Sequence, residues 1–190
     1  ATHEPPSLAD SVRQAMREYS DLTGREYAPV HTVMCDDAEH VMVGLGSVTE
    51  DVEAVLPYLR SQGIKAGLVA VKLLQPFPEA ELAAALRGKK SVIVLERSDQ
   101  MALTDLVTRA LFRARENASG ERYPGIPAMD STPVLSSAIF GLGGHDLQPR
   151  HLIAAYRRME AGDIAPLVYL GTQFFDDDPS PAMAEVQARL

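Results

Sequence analysis

The chain alternates short apolar runs, rich in β-branched residues, with longer amphipathic stretches. The apolar runs lie at residues 39–45, 65–74, 91–95, 134–140 and 166–171. They lack the strict alternation of a half-exposed strand, so we expect most of them to be strands covered on both faces. The stretches between them carry apolar residues at helical spacing. This regular exchange of strand and helix predicts an α/β domain built around a mostly parallel sheet.

A helical pattern also precedes the first strand. Ser7 suits an N-cap, and Gly24 stands where a left-handed residue would end the helix. Residues 1–6 are polar and contain proline, so we expect them to be loose, and residues 25–37 predict a linker. One face of this arm helix collects the apolar side chains Leu8, Val12, Met16 and Tyr19.

Three local signals refine the later elements. Ser47 and Glu50 have the spacing of a capping box at a helix start. Pro57 lies inside that helix and predicts a bend or an early end, because proline lacks the backbone N–H. Residues 118–132 are rich in Gly and Pro, and they predict a surface loop.

Composition narrows the function. The chain has 190 residues, a net charge of −8 and no stripe of Lys and Arg, so we expect neither a nucleic acid nor a membrane surface as partner. We find no apolar run of about 20 residues and no signal-peptide pattern. The single cysteine, Cys35, forms no internal disulfide and no Cys/His cluster, so we predict no metal site and a cytoplasmic location. We expect Ala1 to be a boundary inside a longer protein rather than a processed end.

The loops after parallel strands meet at one edge of the sheet, where α/β proteins place ligands. The turn containing Gly44, Gly46 and Ser47 is therefore a candidate anion site, since its N–H groups and the following helix dipole favour negative charge. It lacks the third glycine of a dinucleotide fingerprint and the lysine of a phosphate-binding loop. Close packing of strand against helix is the simpler explanation of these glycines, and it is the one that we expect.

Two further residues on this edge are candidates for contacts. Arg97, next to Glu96, can form an ion pair or clamp a carboxylate, and we expect a structural pair or an interdomain contact. His145 follows two glycines and suits a proton shuttle only beside a nucleophile, which the sequence does not supply. We therefore expect His145 to be an exposed loop residue available for an interdomain contact, and we predict no catalytic residue.

The C-terminal segment offers weaker candidates. The run of Asp176, Asp177 and Asp178 predicts a solvated acidic turn, because three neighbours cannot converge on one cation unaided. Phe174 and Phe175 are candidates for a hydrophobic contact with another domain, and a short helix is expected after Ser180. Cys35 has no evident base beside it and carries no catalytic prediction.

Five segments in order carry a resemblance. They are LTGREYAPV, DAEHVMVGLGSVTEDVEAVLPYL, GLVAVKLLQPFP, VLER and GLGGHDLQP, and they span nearly the whole chain. In this order the chain resembles the 2-oxoacid:ferredoxin oxidoreductases, in particular the pyruvate:ferredoxin (or flavodoxin) type.

The resemblance implies a three-layer, open, mostly parallel five-stranded sheet with one antiparallel strand, like the C-terminal domain of transketolase. Residues 1–37 would be an arm helix and linker from a preceding domain, and residues 38–190 the α/β domain. The parent enzyme would oxidatively decarboxylate a 2-oxoacid, such as pyruvate, to an acyl-CoA. It would use thiamine diphosphate with Mg, coenzyme A and iron–sulfur clusters, and would pass electrons to ferredoxin or flavodoxin.

None of the residues that hold those cofactors is visible in this chain, so we expect a non-catalytic structural module that meets the other domains or subunits of the parent. The chain departs from the family at Gln75 and at residues 143–146, which bears on the choice of 2-oxoacid. The alternative is a free-standing nucleotide-binding or regulatory α/β domain that uses the turn from Gly44 to Ser47 as its anion site.

Overall fold

The computed structural model describes residues 7–171, which form one six-stranded sheet with helices on both faces. The strands are β1 (Val30–Val33), β2 (His40–Leu45), β3 (Ala66–Val71), β4 (Ser91–Glu96), β5 (Val134–Phe140) and β6 (Leu167–Leu170). The helices are α1 (Leu8–Thr23), α2 (Val48–Ser61), α3 (Glu79–Leu86), α4 (Ala102–Glu116) and α5 (Pro149–Ala161). The predicted α/β class is confirmed.

The sheet has one strand more than predicted. Its order is β1-β3-β2-β4-β5-β6, and β2 to β6 are all parallel. β1 pairs antiparallel with β3, from Val30 opposite Val71 to Val33 opposite Leu68. The predicted count of five strands is therefore wrong, whereas the single antiparallel strand is confirmed. β1 lies in the segment 25–37 that we expected to be a linker, because four residues after a proline carry too little periodicity to predict a strand.

Two apolar cores, one on each face, make the three layers. α2 and α5 cover one face of the sheet, where Leu56, Leu59 and Tyr156 are fully buried. α3 and α4 cover the other face and bury Leu82 and Val107 there. Every residue of β3 and β4 is buried, as expected for strands covered on both faces.

The predicted helix ends hold in one case and fail in another. Ser7 caps α1 by accepting a hydrogen bond from the Asp10 N–H, and Gly24 ends the helix with φ of 68°. The capping box predicted at Ser47 and Glu50 is wrong, because Ser47 has a helical backbone and its side chain makes no capping bond. α2 also runs through Pro57 to Ser61 without the predicted early end.

The predicted surface loop after α4 is organised by one buried amide. Asn117 Nδ2 donates to the carbonyls of Tyr123 and Ile126, both at 2.8 Å. Its Oδ1 accepts from the N–H groups of Arg122 at 2.9 Å and Tyr123 at 2.8 Å. All four bonds hold loop backbone, so Asn117 fixes the path of a segment that has no regular structure of its own.

No helix within residues 7–171 combines the length and the hydrophobicity that a membrane crossing requires.

Candidate functional site

The order of the strands places a crevice between β2 and β4. The chain leaves β2 through α2 toward β3 on one side, and leaves β4 through α4 toward β5 on the other. Neighbouring strands whose connections diverge in this way define a switch point, and ligands of open α/β sheets bind there, at the carboxyl ends of the strands. A cleft of about 430 Å³ occupies this position.

The wall of this switch-point cleft is largely apolar. Leu45 at the end of β2 and Leu74 after β3 are 43% and 50% exposed, and both line this one cleft. Further apolar lining comes from Val48, Leu95, Ala102, Leu103 and Phe140, and the polar lining from Gly46, Ser47, Glu96, Arg97, Ser98 and Gln100. The cleft therefore combines an apolar surface with several polar groups.

A second cleft of about 400 Å³ lies beside the first and shares Ser47 and Arg97 with it. His145, Asp51 and Asp146 complete its polar lining. The carboxyl edge therefore brings together Gly46, Ser47, Arg97 and His145, all of which were singled out from the sequence.

Gly44 does not line either cleft. A Cβ at this position would lie 3.2 Å from Thr49 Cγ2 and 3.3 Å from Val48 Cγ1 on α2. These distances are tighter than ordinary van der Waals contacts, so the glycine lets α2 approach β2 closely. For Gly44 this supports the packing explanation over the anion site.

The turn between Gly44 and α2 is held by hydrogen bonds to one of its own carbonyls. The Gly46 carbonyl accepts from both the Thr49 N–H at 3.1 Å and the Thr49 hydroxyl at 2.8 Å. Gly46 itself has φ of 81°, a conformation that disfavours side chains. Ser47 is exposed, and its hydroxyl is not used as a cap.

The sequence offered an ion pair between Glu96 and Arg97 as one possibility, but in the structure the two side chains have separate roles. Glu96 is buried, and its Oε1 accepts from the Thr104 N–H at 2.6 Å in the first turn of α4. A carboxylate at this point satisfies an otherwise unbonded donor and complements the helix dipole. Arg97 instead is exposed and lies beside Gly141, where an added Cβ would come 3.6 Å from Arg97 Nε.

His145 is exposed, as expected, at the end of a short 3₁₀ turn, where its N–H donates to the Leu142 carbonyl at 3.2 Å. Phe174, Phe175, the three aspartates Asp176, Asp177 and Asp178 and the expected helix after Ser180 lie outside the described residues. The exposure of Leu45 and Leu74 was missed from the sequence, because the apolar runs predict buried strands and do not show where burial stops.

The chain does not fit an iron–sulfur cluster. Such a cluster needs about four cysteine thiolates, and the sequence contains one cysteine. Cys35 is buried, its Sγ donates to the Leu68 carbonyl at 3.1 Å, and burial raises the pKa of its thiol. Within residues 7–171 no three His, Cys, Asp or Glu side chains come together as a metal site.

These features define the class: a doubly wound α/β domain with an apolar cleft at its switch point. The chain belongs to the family described as pyruvate:ferredoxin oxidoreductase core domain II, whose model matches residues 38–152. It is 34% identical over 148 residues to the pyruvate synthase subunit PorA of Thermotoga maritima, covering 78% of this chain and 35% of that protein.

Two other comparisons agree. The chain is 31% identical to a probable pyruvate-flavodoxin oxidoreductase of Escherichia coli over 162 residues, covering 82% of this chain and 13% of that protein. The solved structure of a 2-oxoglutarate:ferredoxin oxidoreductase from Magnetococcus marinus matches with a TM-score of 0.51 at 19% identity, covering 80% of this chain and 24% of that one. This last match concerns the fold. The chain thus spans about a third of the PorA relative and a smaller share of the other two.

Proposed function

We propose that this chain is a non-catalytic structural and interdomain module of a thiamine-diphosphate-dependent 2-oxoacid:ferredoxin oxidoreductase. The parent oxidatively decarboxylates pyruvate to acetyl-CoA in the cytoplasm and passes the electrons to ferredoxin or flavodoxin. The observation that carries the proposal is the match of residues 38–152 to domain II of this family, together with relatives that are far longer than the matched stretch.

The proposal divides the chain as the sequence suggested. Residues 1–37 are proposed as the arm and linker from a preceding domain and residues 38–190 as the α/β domain, with the amendment that β1 (Val30–Val33) in the linker completes the sheet of that domain. Thiamine diphosphate, Mg, coenzyme A and the iron–sulfur clusters are held by other parts of the parent, which are also the partners of this module.

Two residues at the carboxyl edge, Glu96 and Gly44, have structural roles. Glu96, the one buried carboxylate among residues 7–171, is committed to the N-terminus of α4. Gly44 is committed to close packing against α2. Glu96 and Gly44 are thus engaged in holding the domain together, whereas Ser47, Arg97 and His145 remain exposed at this edge.

The two adjoining clefts are the proposed interdomain surface. Leu45 and Leu74 supply exposed apolar area, and Arg97 and His145 supply polar contacts at the rim. An apolar centre with a polar border is the usual composition of a protein interface. Phe174 and Phe175 remain predicted contacts of the same kind.

The activity is tested on the complete parent protein. Pyruvate and coenzyme A should drive the reduction of ferredoxin or flavodoxin, followed by absorbance, and the rate should require thiamine diphosphate. A parent that turns over 2-oxoglutarate or 2-oxoisovalerate and ignores pyruvate would change the substrate but keep the reaction class. Absence of any 2-oxoacid-dependent reduction by a correctly loaded protein would refute the proposal.

The interdomain surface is tested in the same protein with a matched pair of arginine variants. Arg97→Glu should lower the temperature at which the domains separate in calorimetry, whereas Arg115→Glu, an exposed arginine on α4, should not. Equal effects of the two substitutions would mean that Arg97 makes no interdomain contact.

Cofactor binding separates the proposal from the alternative. Titration calorimetry of the chain with thiamine diphosphate and with coenzyme A should give negligible heat. If the turn from Gly44 to Ser47 is instead a nucleotide site, a nucleotide at about 100 times its dissociation constant should stabilise the chain by about 2.7 kcal/mol in a thermal-shift screen. The crowded Cβ position of Gly44 weighs against this second function.

A further inference from the structure

Helix α1 carries an apolar stripe that the rest of the described chain leaves uncovered. Leu8, Ala15 and Leu22 are spaced seven residues apart, which is nearly two helical turns, so they lie one above another. Tyr19, four residues after Ala15, lies on the same side. Leu8, Tyr19 and Leu22 are 67%, 52% and 84% exposed.

A different face of α1 attaches it to the domain. Arg13 Nε donates to Glu81 Oε1 of α3 at 2.6 Å, which joins α1 to the domain. The Tyr27 N–H donates to the Ser20 hydroxyl at 2.9 Å and ties the segment after α1 back onto the helix. Arg13 and Ser20 are seven residues apart on one side of the helix, about a third of a turn or more from the stripe. Tyr19 touches Tyr27, with ring centroids 4.8 Å apart, but the leucines on either side of it remain in solvent.

A helix with an apolar face in solvent is unfavourable unless something covers that face. A second copy of this chain is a poor candidate, because a stable dimer buries about 800 Å² on each partner and three large side chains supply only a fraction of that area. A small contact is sufficient when both surfaces belong to one polypeptide, since the tether keeps them at high effective concentration.

We infer that the α1 stripe is the docking face for an apolar helix of another domain of the same parent polypeptide, seated over Ala15 between Leu8 and Leu22. This inference rests on the proposed function, which supplies the parent. The length of the relatives supports it, because the matched stretch is 35% of the PorA relative. So does the position of α1, which lies before residue 38, where the match to domain II begins.

The small Ala15 between two leucines leaves a notch that fits a ridge of side chains on a partner helix.

The test uses two cysteine variants of the complete parent. Leu22→Cys places a thiol in the stripe, and Arg17→Cys places one on the opposite, exposed side of α1. Each is labelled with a maleimide in the native and the urea-unfolded protein, and labelling of the α1 peptide is followed by mass spectrometry. We expect native labelling at least about tenfold slower than unfolded labelling for Leu22→Cys, and within about twofold for Arg17→Cys.

Native labelling as fast at Leu22→Cys as at Arg17→Cys would overturn the inference. Protection of Leu22→Cys that disappears on about hundredfold dilution would also overturn it, because the cover would then be a second molecule. The reduction assay on the same samples separates the two proposals. Activity with an unprotected Leu22→Cys refutes the docking alone, whereas protection without any 2-oxoacid-dependent activity refutes the proposed reaction and leaves the docking in place.

Discussion

The hydroxyl of Tyr156 on α5 donates a 2.7 Å hydrogen bond to the carbonyl of Gly67 on β3, and Tyr156 is fully buried. Burial raises the pKa of this tyrosine well above its usual range, so it stays protonated and remains a donor. The bond joins the helical layer directly to the backbone of β3, a strand in which every residue is buried.

Replacing this donor should weaken the domain. Tyr156→Phe should lower the free energy of unfolding by about 1–2 kcal/mol, because it removes one hydrogen bond and keeps the ring. Urea unfolding followed by circular dichroism measures the change. Tyr19→Phe is the matched control on an exposed ring and should stay within about 0.5 kcal/mol of the parent sequence.

Gly67 is also a steric requirement. A Cβ at Gly67 would lie 2.8 Å from Ala38 Cβ and 2.9 Å from the Met34 carbonyl, so backbone atoms would have to move. Gly67→Ala should therefore destabilise the domain by about 1–3 kcal/mol. Gly44→Ala meets only side-chain methyl groups, at 3.2 Å and 3.3 Å, and should cost less in the same unfolding experiment. The reverse order of the two variants would contradict this account.

Asn117 should control the loop that follows α4. Asn117→Ala removes two donors and one doubly used acceptor, and leaves loop backbone groups without partners. We expect a loss of about 2–4 kcal/mol and faster tryptic cleavage at Arg122. Ser119→Ala, in the same loop, changes an exposed hydroxyl and should leave both the stability and the cleavage rate unaltered.

Glu96→Gln tests the carboxylate at the start of α4. The amide keeps an acceptor for the Thr104 N–H but loses the charge, so we expect a loss of about 1–2 kcal/mol in unfolding free energy. The comparison is Glu116→Gln, where the carboxylate forms an exposed pair with Arg122 and the expected loss is below about 1 kcal/mol. Equal losses in the two variants would show that the buried charge has no special role.

His40 should make stability depend on pH. It is buried, with Nδ1 2.8 Å from the Ser91 hydroxyl, and burial lowers the pKa of its imidazole. Between the lowered folded value and the ordinary value of about 6.5, the unfolded chain binds more protons than the folded one, so stability rises with pH. This contribution is fully present above pH 6.5 and is lost as the pH falls toward the folded value.

The charged groups near His40 are Glu39, Lys90 and Glu160. Lys65 and Lys90 both bond Glu39 and hold its pKa at about 2, so this carboxylate keeps its charge across the range measured. His40→Gln should flatten the rise of unfolding free energy between about pH 5 and 6.5. Stability that increases on acidification in the unmodified chain would contradict the prediction.

Residue patterns located the five parallel strands and the loops of the carboxyl edge because buried strands and capped helices have local signatures. They missed β1, whose four residues become a strand only because β3 offers a free edge. They proposed Arg97 as a partner for Glu96 from sequence adjacency, whereas its partner in the structure, the Thr104 N–H, lies in the first turn of the next helix. They also predicted an apolar face of α1 without indicating that Leu8 and Tyr19 lie in solvent while Val12 and Met16 are half-buried, because exposure depends on what packs nearby.

The position of β1 bears on where this domain can be cut. A protein truncated at Ala38, where the family match begins, would lose β1 and leave the outer side of β3 with a bare row of amide donors and acceptors. An open, apolar strand of this kind recruits strands from other molecules. Such a shortened protein would aggregate. The β1 residues therefore protect the edge of the sheet by pairing with β3.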